Sequence, residues 1–250
     1  MAAGVKSGAE VWYLYGISAS GSVPSAAQVG VASSPISRLD CDGLTCWISG
    51  VSAEDFEYKL ADNMQNLDWI AETSVAHQRA VSTIAATVDL LPARIATIFR
   101  SQGSLSEHIR RHALTLKRNL ERVKGAREWG IKVFAVEAVV APPEQVRSGK
   151  DYLKTKAARL PRHRKSQAGE REAEQLAHEL ESVAIESAAP GRVSSGQKGL
   201  AFQTTILVRR KDEKKLQAIL AGFSSRWAGT WKIECTGPWP PYSFVSRVEP

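Results

Sequence analysis

No apolar run in the chain approaches the roughly 18 to 20 residues that a membrane span needs. The first residues, Met1-Ala-Ala-Gly-Val-Lys6-Ser-Gly, lack the apolar stretch of a secretory signal. Cysteine is scarce: Cys41, Cys46 and Cys235 make an odd count with no framework spacing, unlike a secreted disulfide scaffold. Cys41 and Cys46 flank a tight turn and could approach across a hairpin, although a reducing cytosol argues against a bridge. These absences lead us to expect a soluble protein that stays in the cytoplasm.

Catalytic signals are also sparse. Gly-rich dinucleotide patterns are missing. Ser148-Gly149-Lys150 resembles the end of a P-loop, but Glu144 stands where that motif requires glycine. His108 and His112 share a helix face at metal-binding spacing. However, His-Ile-Arg-Arg-His lacks the glutamate of the zinc-protease motif, and Arg110 and Arg111 would repel a cation. A solvated polar face is the simpler reading. No nucleophile is tied to His77 by sequence, so it reads as a packed or half-exposed histidine rather than a base. The expectation is a chain with no catalytic residues, no cofactor and no metal.

What is present is ordinary for a folded protein: 250 residues, 43% hydrophobic and 24% charged, enough for one large domain or two of ordinary size. The charge is uneven. Arg147, Lys150, Lys154, Lys156, Arg159, Arg162, Arg164, Lys165 and Arg171 share their window with Asp151 and Glu170 only. That segment accounts for the whole net charge of +7.

The pattern along the chain is α+β. Val11–Ile17 is a β-branched, aromatic strand covered on both faces. Ser18 to Pro35 reads as a loop. Asp42-Gly43 between Ile36–Cys41 and Leu44–Ile48 signals a hairpin, because glycine accepts the positive φ of a type I′ turn. Ser52 starts a helix over 53–64. Asn66 or Asp68 starts another, with Trp69, Thr73, Ala76, Ala80 and Ile84 on one face. A short strand over 88–91 precedes Pro92. Ser104 caps a helix whose apolar face is Leu105, Ile109, Leu116, Leu120 and Val123, and Gly125 ends it.

Residues 126–250 have a different rhythm. A strand over 129–140 is followed by a helical region over 144–180, interrupted at Pro161. Strands over 183–187 and 200–209, a helix over 211–221 and a last strand over 230–236 complete β-α-β-β-α-β. This is the ferredoxin-like order, with both helices on one face of an antiparallel sheet. The first crossover is longer than the fold requires, and its excess is a basic helical insertion, pictured as a protruding arm. The expected organisation is an N-terminal α+β domain over 1–125 and a C-terminal ferredoxin-like domain over 126–250 with an aromatic-proline tail.

Arg159, Arg162, Arg164 and Lys165 are the candidate partner-binding residues. A nucleic-acid reading is the alternative, since clustered cations release counterions from phosphates. The same strand order is shared with the RNA-recognition module, which needs several stacking aromatics on its central strands. Leu200–Ile206 offers Phe202 alone. In the tail, Pro238-Trp239-Pro240-Pro241-Tyr242 could serve as a polyproline ligand. Exposing Trp239, Tyr242 and Phe244 is costly, so the tail is expected to lie back on its own protein. Trp129 is expected to be packed between the domains.

Six segments, in order, resemble the gas vesicle protein F/L family. They are Tyr13–Ile17, Ala76-His77, Leu91–Phe99, Lys124–Val133 around Glu128-Trp129-Gly130, Ser148–Leu153, and the tail Gly237–Phe244 with Trp239 and Tyr242. Ala93, Ile95 and Ala96 depart from the family's Leu-Pro-Leu-Arg-Phe-Gly-Thr-Val-Phe run. The resemblance implies two α+β domains, the second ferredoxin-like, and an accessory role in gas vesicle formation without enzymatic activity. It also implies association with the hydrophobic shell protein and with other accessory proteins, in the cytoplasm at the vesicle. No membrane partner is expected.

Overall fold

The structure is a computed structural model that describes residues 9–21, 29–136, 167–188 and 197–245. It contains two antiparallel sheets, each organised around one long strand. The first half begins with β1 (Glu10–Ala19), β2 (Ser37–Cys41) and β3 (Leu44–Ser52). Asp42 and Gly43 join β2 to β3 with φ of 54° and 75°, as a type I′ turn requires. Two short strands, β4 (Leu90–Pro92) and β5 (Ile98–Phe99), pair with the other side of β1, and the path through the sheet is β2-β3-β1-β4.

β1 is buried almost continuously because both faces of its sheet are covered. Leu14 and Ile17 pack with Leu105, Ile109 and Leu116 of one helix, whereas Val11, Tyr13 and Tyr15 pack with Ala80, Val81 and Ile84 of another. The register slips between Leu14 and Gly16, and this bulge lets Leu14 and Ile17, three apart, share a face. The covering helices are α2 (Leu67–Ala85) and α3 (Gln102–Val123). Asn66 caps α2, its side chain accepting from the backbone N–H of Asp68 and Trp69.

Two local expectations need correction. The segment expected as a helix over 53–64 is a π turn at Glu54–Tyr58 followed by one α turn, α1 (Leu60–Asn63). Only Phe56 of these nine is buried, so no apolar face holds a longer regular helix. The cap of α3 is Ser101 rather than Ser104. Ser104 sits at the third helical position, where the two serines close a reciprocal capping box. The expected face of α3 is buried throughout, and Gly125 follows it at φ 64°.

The second half contributes β6 (Ala126–Ala135), α4 (Gln167–Glu181), β7 (Ala184–Ala188), β8 (Leu200–Arg209), α5 (Glu213–Arg226) and β9 (Trp231–Trp239). Its sheet order is β7-β8-β6-β9. Trp129, Ile131, Val133, Ile206 and Val208 form one face, packed with Leu176 and Leu180 of α4 and Leu216 and Phe223 of α5. β9 runs to Trp239, three residues past the expected end. The added residues stay in the sheet because Trp239 pairs with Glu128.

The halves share a boundary. Ala126, Leu207 and Phe244 of the second half complete the α3-side core of the first. The Asp89 carboxylate accepts from the Gly125 N–H at 3.0 Å and pairs with Arg210 at 3.3 Å.

Candidate partner-binding surfaces

The tail is the most specific construction at the boundary. Beyond β9 the chain turns at Pro240 and Pro241 and lays Tyr242–Phe244 across the first half. The Tyr242 hydroxyl lies 3.4 Å from His77 Nε2 and donates to Gln78 Oε1 at 3.3 Å. On the other side of the ring, His77 Nδ1 is 2.9 Å from the Tyr13 hydroxyl, which accepts from the Ala96 N–H at 3.0 Å. One tautomer satisfies this chain: Tyr13 donates to Nδ1, and the Nε2 proton is directed at Tyr242.

Burial pushes the His77 pKa down to about 4, partly offset by the Ala93 carbonyl. Burial also raises both tyrosines. His77 is a buried imidazole held between the buried Tyr13 phenol and the half-buried Tyr242 phenol. The arrangement suits a structural post better than a general base.

The next residue fixes the tail to the second half. The Ser243 N–H and hydroxyl both donate to the Glu128 carboxylate, at 2.7 and 2.8 Å. Glu128 is buried, and burial raises its pKa against the lowering effect of those two bonds. Arg122 grips the Glu186 carboxylate at 2.8 and 3.0 Å and donates to the Phe244 carbonyl. Residues 242–244 thus contact α2, the end of α3, β6 and both cores. Glu128 and Ser243 were within the quoted motifs but carried no signal of their own, because their pairing is long-range.

The signature residues take distinct places. Trp129 is buried in the helix-covered core of the second sheet rather than between the halves, because the boundary lies on the opposite face of β6 with Glu128. Among the described residues its indole Nε1 has no hydrogen-bond partner, and a side chain at Gly237 would meet its ring at 3.1 Å. Gly130 leaves room for Thr236, whose Oγ1 would lie 2.7 Å from an added Cβ. Tyr242 and Phe244 lie back on the protein, but Trp239 does not: it is 41% exposed. It is the last residue of an edge strand, and the chain folds inward only beyond it.

The basic candidates Arg159, Arg162, Arg164 and Lys165 lie outside the described residues, as do Ser148-Gly149-Lys150 and Pro161. The His108 and His112 rings lie tilted against each other with centroids 4.6 Å apart, and His108 also packs edge-on against Phe99. Among the described residues, no group of three or more His, Cys, Asp or Glu could hold a metal ion. Nor is any helix there long and apolar enough to cross a membrane. Cys41 and Cys46 are free thiols; Cys41 is directed at the Ser106 carbonyl.

Residues 11–246 match the sequence profile described as Gas vesicle synthesis protein GvpL/GvpF. The chain belongs to this family. It is 28% identical to Gas vesicle protein L of Streptomyces sp. (strain CB03234), with 95% of this chain and 93% of that protein covered. The crystal structure of GvpF from Anabaena sp. PCC7120 superposes with a TM-score of 0.67 at 15% identity, covering 95% of this chain and 98% of the other. GvpF from Microcystis aeruginosa gives 0.65 at 17% identity, covering 94% and 99%. The mixed α/β fold with two antiparallel sheets is therefore the architecture of GvpF structures. The six separated motifs read from the sequence belong to a GvpL/GvpF chain, and a role in gas vesicles follows from that membership.

Proposed function

We propose that this protein is an accessory factor that binds the hydrophobic gas vesicle shell protein and assists nucleation or assembly of the shell. The observation that carries the reading is the family match over residues 11–246. A subunit apolar enough to line a gas space aggregates if left free, and a soluble partner prevents this by covering that surface or offering a strand edge. Both sheets present such edges: β2 in the first, β7 and β9 in the second. β9 is the less receptive, because Lys232 pairs with Glu234 along it and Pro238 lacks a backbone donor.

The same reading treats residues 1–125 and 126–250 as two domains. The second is ferredoxin-like, supported by the order β7-β8-β6-β9 and by helices packed on one face. Its first crossover carries the basic insertion, and the protein works in the cytoplasm at the vesicle surface, without catalytic activity.

Purified protein is expected to capture the shell protein at moderate salt and to co-purify with vesicles. Neutralising Arg159, Arg162, Arg164 and Lys165 should weaken capture only partly, since apolar contacts are far less salt-sensitive than phosphate contacts. Tight, salt-dependent RNA binding without shell-protein capture would replace this reading with the nucleic-acid one. Complete loss of capture on neutralising the four charges would remove the strand edges from it.

A further inference from the structure

The first half carries opposite charge on the two sides of its sheet. α3 covers one face of that sheet and α2 the other. On the solvent side of α3, Leu114 is 83% exposed, more than any other large apolar side chain among the described residues. Its neighbours on the helix surface, three and four residues away in both directions, are Arg110, Arg111, Lys117 and Arg118, all exposed. Arg111 pairs with Glu107, and the other three stand in no ion pair among the described residues. Leu114 is thus an apolar knob on a basic ridge.

The solvent side of α2 is the reverse. It borders a groove of about 830 Å³ whose far wall is Val29, Ala32 and Ser33. Phe56, Trp69, Ala76 and Ala80 give the groove apolar surface, and the exposed Asp55 and Glu72 give it negative charge. Asp68, one helical turn before Glu72, adds to that charge. Asp55, Asp68 and Glu72 stand in no ion pair among the described residues. Over residues 54–72 the sequence has six acids against Lys59, and Lys59 pairs with Glu54. Tyr242 meets α2 at His77 and Gln78, neither of which lines the groove, so the tail leaves it open.

A basic ridge with an apolar knob fits an apolar groove with an acidic rim. Within one molecule the sheet separates them, and both helices are fixed to it by their buried faces. The ridge of one molecule can therefore enter only the groove of another. We propose that the Leu114 ridge of α3 docks in the α2 groove of a second copy of this chain. The two helices are comparable in length, 22 and 19 residues, or roughly 33 and 28 Å. Run parallel, they also bring Glu121, seven residues after Leu114, opposite Arg79, seven residues after Glu72. Arg79 is the cation that lines the groove. Ridge and groove face opposite ways, so two molecules cannot satisfy both contacts with each other. The contact is heterologous, and association continues past the dimer.

The full-length protein tests this by sedimentation velocity over a concentration series. One variant, Asp55→Lys/Glu72→Lys, reverses the charge of the groove at exposed positions. A second, Arg110→Gln/Leu114→Gln/Arg118→Gln, removes the knob and the charge of the ridge, also at exposed positions. Circular dichroism checks that both remain folded, and Leu114→Gln alone is the milder ridge variant. The unmodified chain is expected to form concentration-dependent species larger than dimers. Each multiple variant alone should associate on the order of tenfold more weakly, because each retains only one half of the contact. Leu114→Gln should weaken association in the same direction. Mixed in equal amounts, the two multiple variants should form 1:1 dimers and nothing larger, since one intact groove then meets one intact ridge. An unmodified chain that stays monomeric or stops at a dimer, association that survives undiminished in either multiple variant, or a mixture that stays monomeric would each overturn the proposal. Shell-protein capture by the same variants is a separate readout, so failure here leaves the proposed function standing.

Discussion

The two sheets of this protein solve the same problem differently. The first is covered on both faces, by α2 on one side and α3 on the other, so β1 reads as an unbroken apolar run. The second has helices on one face only; its other face meets the first half and the tail at Ala126, Glu128 and Leu207. Beyond that contact this face is polar, with Lys132, Gln203, Thr205, Glu234 and Thr236 around Gly130. Each sheet buries one tryptophan. Trp47 in the first donates its indole N–H to the Ser18 hydroxyl at 3.0 Å, whereas the Trp129 indole has no partner among the described residues. Double coverage goes with polar groups that are individually satisfied. The one-sided sheet relies more on packing.

The largest test of that contrast is Trp129. If packing alone holds it, Trp129→Ala should cost about 3 to 5 kcal/mol, while Trp129→Phe should cost under about 1.5 kcal/mol because no hydrogen bond is lost. Urea denaturation at pH 7 measures both. An alanine variant with unchanged stability would mean that Trp129 is not held in the core, and partner contact would become the better account of it.

A second, comparable effect belongs to the first half alone. His77 has a folded pKa near 4 against about 6.5 when unfolded. The unfolded chain therefore binds more protons between these values, and stability falls as pH drops through that window. The full stabilisation is present above pH 6.5, and on the order of 3 kcal/mol should be lost by pH 4. Tm followed from pH 7 to pH 4.5 should show the decline, and His77→Gln should flatten it while lowering stability at pH 7. An equal acid slope in both proteins would place the sensitivity elsewhere; Glu128 would not account for it, because burial raises its pKa and such a group favours the folded state as pH falls.

These effects also mark what could be read without the structure. Periodicity placed both long helices and most strands, because the apolar faces of α2 and α3 and the run in β1 are local signals. Asp42-Gly43 placed the hairpin for the same reason. At 53–64 the acids and Ser52, whose hydroxyl accepts from the Asp55 N–H, do mark a helical start, but the turns do not join into one regular α-helix because only Phe56 among them has a core to enter. The sequence does not say which face of β6 meets the boundary, so from sequence Trp129 reads as lying between the halves. The tail clasp was half legible: aromatic cost predicted that Tyr242 and Phe244 fold back. Nothing local links Ser243 to Glu128, 115 residues away, or Tyr242 to His77.

That clasp should make a smaller contribution than either core. Ser243→Ala removes the hydroxyl donor to a buried carboxylate but leaves the backbone N–H bond in place, so about 1 to 2 kcal/mol is expected. Glu128→Gln should cost more than Ser243→Ala, because it weakens both bonds and turns a donor toward them. If the tail only rests on the surface, both variants will unfold at the same urea midpoint as the unmodified protein.

The smallest effect is expected on the open face of the second sheet, and it bears most directly on the contrast. Among the described residues the Oε1 atom of Gln203 is buried without a partner. Replacing it with methionine keeps a similar shape and removes an unsatisfied acceptor, so Gln203→Met should change stability by no more than about 0.5 kcal/mol, in either direction. The matching polar deletion in the doubly covered sheet is Ser18→Ala. It leaves the Trp47 indole N–H buried and unpaired, which should cost about 1 to 3 kcal/mol. Measured side by side, the two substitutions ask whether polar groups matter more where a sheet is covered twice. A Gln203→Met variant that loses as much as Ser18→Ala would show that the open face depends on Gln203. The second sheet would then be held from both sides after all.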